Sequence, residues 1–208
     1  MPNWCNNNLV LEHEDPAMIK RAFDALERCE FLQEFIPVPK ELTETMAGSY
    51  GDDEKQKALE AQEQANRDKY GYSNWYDYCV GEWGTKWDVG EQGASDVHPE
   101  GKILHTCFDS AWSPPVRAYE KLVELGFTVK AQYYEPGMCY AGSWEDGIDN
   151  EISLEGMTAD EIEHDYPELD QTFGISESIR EYEAENQEDE ELTEWIKDGA
   201  DKLKLETL

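Results

Sequence analysis

One stretch limits the possible folds more than any other: Asn74-Trp-Tyr-Asp-Tyr-Cys-Val-Gly-Glu-Trp-Gly-Thr-Lys-Trp-Asp88, which holds three of the seven tryptophans. An aromatic side chain buries about 150–250 Å². The chain around it offers little else, with a mean hydropathy of −0.79. A core built from such a chain is expected to be organised around this cluster. The expectation drawn from it is that Trp83, Trp87 and Trp112 share one core with Phe108 and the helix that follows Ser113. On that reading Trp87→Ala leaves little folded protein.

The flanking elements follow from periodicity. Leu9 and Leu11 alternate with Asn8, Val10 and Glu12, which predicts a strand over 7–13, with Val10 adding burial on the second face. Asp15-Pro16 supplies a cap and a first turn, and Ile19, Ala22, Phe23 and Leu26 recur at helical spacing, so a helix runs over 16–29. Pro37 and Pro39 bar a central strand or helix interior, and 31–42 reads as an extended apolar segment over the core. A helix over 53–69 has a thin apolar face of Ala58, Leu59, Ala61 and Ala65. Asn74 caps a short helix over 75–80, Gly81 and Gly84 allow a turn, and a strand over 85–90 pairs with one over 102–109.

Ser113-Pro114-Pro115 opens the next helix, with Ser113 as its cap, Val116, Tyr119, Leu122, Val123 and Leu125 as its stripe, and Gly126 closing it. A strand over 127–135, a turn at Pro136-Gly137, a hairpin partner over 138–144 and one more strand over 148–154 complete the set. Thr158 with Glu161 forms a capping box for a helix over 158–164.

This order predicts an α+β fold: a ferredoxin-like, split β-α-β antiparallel sheet with its helices on one face. A helical insertion at about 43–83 follows the first helix, inside a domain of residues 1–156. Residues 157–208 read as an acidic extension, mostly helical or partly disordered, with a weak apolar face of Leu192, Trp195, Ile196 and Leu203.

Four blocks then carry a resemblance. Met1-Pro-Asn-Trp-Cys-x-Asn7, Trp83-Gly-Thr-Lys-Trp-Asp88, Phe108-Asp-Ser-Ala-Trp-Ser-Pro-Pro115 and Tyr134-Glu-Pro-Gly-Met-Cys-Tyr-Ala-Gly142 resemble the YubB-like family of phage and plasmid proteins, in the family's order. The resemblance implies a ferredoxin-like domain and an origin in a mobile element. It implies no activity, and it stops before the acidic extension.

Charge narrows the function. The formal net charge is −31, of which residues 145–208 carry −19, from 23 acidic against 4 basic side chains. Direct binding to nucleic acid or an anionic membrane needs Lys and Arg, so both are excluded as expectations. Permitted partners are cations, basic protein surfaces and proteins that normally hold nucleic acid. Five widely spaced cysteines without a Cys-x-x-Cys pair fit buried thiols in a reducing bacterial cytoplasm. No signal peptide and no membrane span is read in the sequence. The four histidines show no zinc spacing, Gly81-x-x-Gly84 lacks the Lys and Ser/Thr of a phosphate loop, and no cofactor is called for.

Two functional expectations result. The first is a non-enzymatic phage- or plasmid-encoded protein that binds a host or defence protein with a basic surface. In its sharpest form it imitates nucleic-acid charge through Asp160, Glu161, Glu163, Asp165, Glu181, Glu183, Glu185, Glu188, Asp189, Glu190, Glu191 and Glu194. The second is a small metal-dependent or acid–base enzyme. If the strands over 85–90 and 102–109 pair, Lys86 and Asp88 share a face with His105 and Asp109 nearby, and Glu82 completes the candidate catalytic set Glu82, Asp88, His105 and Asp109. The alternative for those same residues is a hydrogen-bond and ion-pair network. The aromatic residues Trp75, Tyr76, Tyr78, Trp83 and Trp87 could stack bases, but the acidic balance opposes it and core packing is the expected role.

Overall fold

The computed structural model describes residues 3–90 and 95–185. The chain divides into two compact units, Met1–Leu154 and Glu155–Leu208.

The first unit is an α+β structure on an open six-stranded antiparallel sheet. Its strands are β1 (Trp4–Glu12), β2 (Asp96–Val97), β3 (Ile103–Ala111), β4 (Thr128–Glu135), β5 (Tyr140–Glu145) and β6 (Ile148–Ser153), in the order β2-β3-β1-β4-β5-β6. β1 is central: Leu9 lies opposite Thr106 and Ala131, and Leu11 opposite Leu104 and Val129. These odd positions of β1 are fully buried, together with Cys5 and Asn7, whereas Trp4, Asn6, Asn8, Val10 and Glu12 face the other way and keep solvent contact.

Helices α1 (Pro16–Glu27), α2 (Phe31–Phe35) and α6 (Val116–Glu124) share a core with the buried face of that sheet. Asp15 caps α1 by accepting from the Ala17 N–H at 2.9 Å, and Ile19, Ala22, Ala25 and Leu26 are its buried stripe. Between α2 and β2 lies the insertion: α3 (Lys40–Thr43), α4 (Asp53–Tyr70), α5 (Trp75–Tyr78) and a π-helical turn at Cys79–Trp83. As its thin apolar face predicts, α4 buries only Leu59 and Asn66. The Asn66 amide donates to Thr45 Oγ1 at 2.9 Å and to the Ser73 carbonyl at 2.8 Å.

The structure departs from the sequence expectations in several places. Residues 31–42 are not one extended segment. Pro37 and Pro39 separate two short helices, α2 and α3, instead of preventing helix altogether. Residues 85–90 form no strand, and the partner of β3 on that side is the two-residue β2. Ser113 does not cap α6; its hydroxyl donates to the Gly84 carbonyl at 2.6 Å, and Pro115 stands at the cap position. Trp87 and Trp112 are not in the core with Trp83 and Phe108: they are 39% and 50% exposed, whereas Trp83 is 4% exposed.

The second unit has α7 (Ala159–Asp165), α8 (Pro167–Phe173) and a further helical stretch over 175–185. Thr158 and Glu161 form the predicted capping box, and Ala159, Ile162, Leu169 and Ile175 are buried. Among the described residues, no helix is long and apolar enough to cross a membrane.

Candidate functional site

The four candidate catalytic residues do not converge. Glu82, in the π-helical turn, accepts from the Tyr72 hydroxyl at 2.6 Å, and that bond, with burial, pushes the phenol up to about 12. Asp88 spends its carboxylate on backbone, accepting from Leu32 N–H at 2.6 Å, Gln33 N–H at 2.9 Å and Val89 N–H at 2.8 Å. Burial raises the Asp88 carboxyl while those three bonds oppose the rise. Both residues belong to segments packed on the helical side of the sheet.

His105 and Asp109 lie on β3 in the opposite phase to buried Leu104, Thr106, Phe108 and Ser110, so they sit on the other face. His105 is exposed and stacks on His98 at 5.2 Å, and Asp109 accepts from the Asn6 amide at 2.7 Å. Lys86 does not pair with Asp88. Its ammonium lies 4.6 Å from the Trp87 ring centroid and 5.7 Å from that of Tyr76. Among the described residues, no group of three or more His, Cys, Asp or Glu side chains could hold a metal.

The acidic residues of the second unit are partly engaged internally. Arg180 reaches Glu163 at 2.5 Å and Asp160 at 2.9 Å, and its guanidinium draws the Glu163 carboxyl below the usual range. Glu161 is lowered by its bonds to Thr158 in the capping box. Asp165, Glu181, Glu183 and Glu185 are exposed. Glu188, Asp189, Glu190, Glu191 and Glu194 lie outside the described residues.

What does converge is the set of four sequence blocks, at one end of the sheet. Asn7 joins the first block to the third: its amide donates to Ser110 Oγ at 2.8 Å and to the Cys5 carbonyl at 2.8 Å. Ser110 Oγ in turn donates to the Ser113 carbonyl at 2.8 Å. Thr85 Oγ1 of the second block donates to the Ala111 carbonyl at 2.9 Å. Tyr140, from the fourth block, donates its hydroxyl to the Trp112 carbonyl at 3.0 Å, and the Trp112 N–H donates to the Asn3 carbonyl at 3.0 Å. Beneath this knot, burial pushes the Cys5 thiol up to about 12.

The knot carries exposed aromatic rings. Trp112 is held at φ +74°, a left-handed conformation that is an outlier for so bulky a residue, and its indole is half in solvent. Trp4, 42% exposed, packs on Trp87 with ring centroids 6.0 Å apart and planes inclined at 44°. Lys86 rests on Trp87, and Tyr76 is likewise exposed. The result is a surface of three tryptophans, a tyrosine and one lysine.

Sequence reasoning placed Trp87 and Trp112 in the core and gave Trp4 no role. The signal for Trp4 was present in the phase of β1: it is out of step with buried Leu9 and Leu11, so it must face away from the helices. No comparable signal marked Trp112, whose direction is set by hydrogen bonds from three distant segments.

No protein-family model matches the chain, and no curated protein does. Among solved structures, protein api92 from Yersinia pseudotuberculosis, described with the family-model designation DUF1281, is similar at 12% identity, over 74% of this chain and 98% of that one, with a TM-score of 0.41.

Proposed function

We propose that this is a non-enzymatic acidic interaction protein, encoded by a phage or plasmid, that acts in the bacterial cytoplasm by binding a host or defence protein with a basic surface. The observation that carries the reading is the aromatic surface itself. Three tryptophans stand partly in solvent beside a hydrogen-bond knot, and the one that the knot itself holds, Trp112, is in a strained backbone conformation. Exposed aromatic residues of this kind are typical anchors of protein interfaces, and strain of this kind is kept where function requires it.

The net charge of −31 supplies the selectivity, steering basic partners and repelling polyanions. The exposed Asp165, Glu181, Glu183 and Glu185 are available to a basic groove, which is the basis for the sharper form, charge mimicry of nucleic acid. A ferredoxin-like fold of the YubB type is part of the proposal. The antiparallel run β2-β3-β1-β4, with α1 leaving β1 and α6 joining β3 to β4, supports it, the β5–β6 hairpin being an addition. All five cysteines are free thiols, in keeping with a reducing compartment.

The test is capture from a bacterial host lysate at low and high salt, with wild type beside Trp112→Ala. A basic protein retained by wild type at low salt, released at high salt and missing from Trp112→Ala is the expected outcome. Recovery of no basic protein at low salt would sink the reading.

A further inference from the structure

Fourteen of the chain's Lys and Arg side chains fall among the described residues, and eleven of them have a carboxylate within 4.0 Å. The exceptions are Lys55 and Lys57, exposed on α4, and Lys86, which rests on the rings of Trp87 and Tyr76. In a chain so rich in carboxylates, this end of the sheet therefore hosts a cation on indole and phenol faces. The converse holds close by. Asp109 is a half-buried carboxylate with no cationic partner among the described residues; its bond is the one from the Asn6 amide at 2.7 Å, which fixes its orientation.

Trp4 and Asp109 belong together. Asn6 lies directly opposite Asp109, and Trp4 opposite Ala111, so all three are on the sheet face away from α1, α2 and α6. Trp4 and Asn6 are two residues apart on one strand, which puts the Trp4 backbone about 7 Å from the Asn6–Asp109 row, within reach of one guanidinium. Trp87 backs Trp4 and limits its movement.

A ring face beside an oriented, unpaired carboxylate is the arrangement that a guanidinium satisfies. The planar group stacks on the indole and gives two N–H donors to the carboxylate, which a lysine ammonium cannot do at once. We propose that Trp4 and Asp109 form a receptor for an arginine side chain of the protein partner, with Asn6 as the positioning residue. The inference rests on the reading of the chain as a binder of basic proteins and names the group that it recognises. The field of the chain favours the same cation at long range.

The test is calorimetric titration of the full-length protein, at low salt, with a blocked tripeptide of arginine, its lysine counterpart and its citrulline counterpart. Citrulline keeps the shape of arginine and removes the charge. Arginine is expected to bind about tenfold more tightly than citrulline, and more tightly than lysine. Asp109→Asn, which is close to isosteric, should bring arginine down to the citrulline level, and Trp4→Phe should weaken arginine and leave the melting temperature near that of wild type. Equal binding of arginine and citrulline overturns the receptor, as does an arginine preference that survives Asp109→Asn. If arginine and lysine bind equally and Asp109→Asn changes neither, the receptor fails while the binding of basic proteins stands. If no cationic peptide binds and the lysate capture also fails, it is the wider reading that falls.

Discussion

Two sets of tryptophans in the first unit have opposite fates. Trp83 and Trp144 are 4% and 2% exposed, the first donating its indole N–H to the Ile36 carbonyl at 2.9 Å, the second packing on Tyr119 at 5.6 Å. Trp4, Trp87 and Trp112 stand at the end of the same sheet and keep about two-fifths to one half of their surface in solvent. The two sets share composition and, for Trp83 and Trp87, even the same six-residue block. What separates them is which backbone groups claim the chain around them. Trp83 and Trp144 are turned into the core by their helical turn and strand position, Trp4 is turned away from it by the phase of β1, and Trp112 is held outward by hydrogen bonds to Asn3 and from Tyr140.

Four measurements sharpen or break that contrast. The largest effect is chemical. Burial pushes the Cys5 and Cys79 thiols up to about 12. At pH 8 each should then have on the order of a thousandfold less thiolate than an unperturbed cysteine. Mass spectrometry after brief alkylation of the folded protein should find Cys29, Cys107 and Cys139, which are exposed, labelled first. Rapid labelling of Cys5 would mean that the ground beneath the aromatic surface is open.

Next, Trp144→Ala should lose about 3–5 kcal/mol in denaturant unfolding. An unchanged midpoint would erase the distinction between the two sets. Trp87→Ala should lose only about 1 kcal/mol, from partial packing on Trp4 and the Lys86 contact. A collapse in yield would return Trp87 to the core. The smallest effect has the opposite sign. Because Trp112 sits at φ +74°, Trp112→Gly should gain up to about 1 kcal/mol while losing partner binding. A lower melting temperature would show that the indole supports the fold more than its backbone strains it.

How legible these features were depended on whether the information was local. The alternation of Leu9 and Leu11, the Asp15-Pro16 start of α1, the Thr158–Glu161 box and the Pro136-Gly137 turn are local patterns, and each is found where periodicity placed it. The ends of α2 were not local. Its N-terminus is capped by Asp88, some 55 residues further along the chain, so 31–35 could not be recognised as helix from its own residues. The same bond removed the expected strand over 85–90, because a backbone held against α2 cannot also pair with β3. At the aromatic surface the four blocks were legible as a group, and their meeting was not. The assumption that aromatic means buried misassigned Trp87 and Trp112, since no pattern within either block announces its partners.

The clasp of Asp88 on Leu32 and Gln33 has an evolutionary consequence. It ties the two ends of the insertion together, and Gly90 tightens the tie: a Cβ there would collide with Cys29, side chain and Cα alike. Ile36 and Trp83, just inside the tie, are still part of the core, and the chain between them, with α4, hangs from that closed neck. For a loop whose ends are already joined, doubling the length costs only about 0.6 kcal/mol in closure entropy. Most of α4 faces solvent, so little packing opposes such a change. Chains descended from this one can therefore lengthen, shorten or replace α4 while the sheet and its aromatic end stay as they are, and the insertion is the place where lineages of this fold are free to diverge.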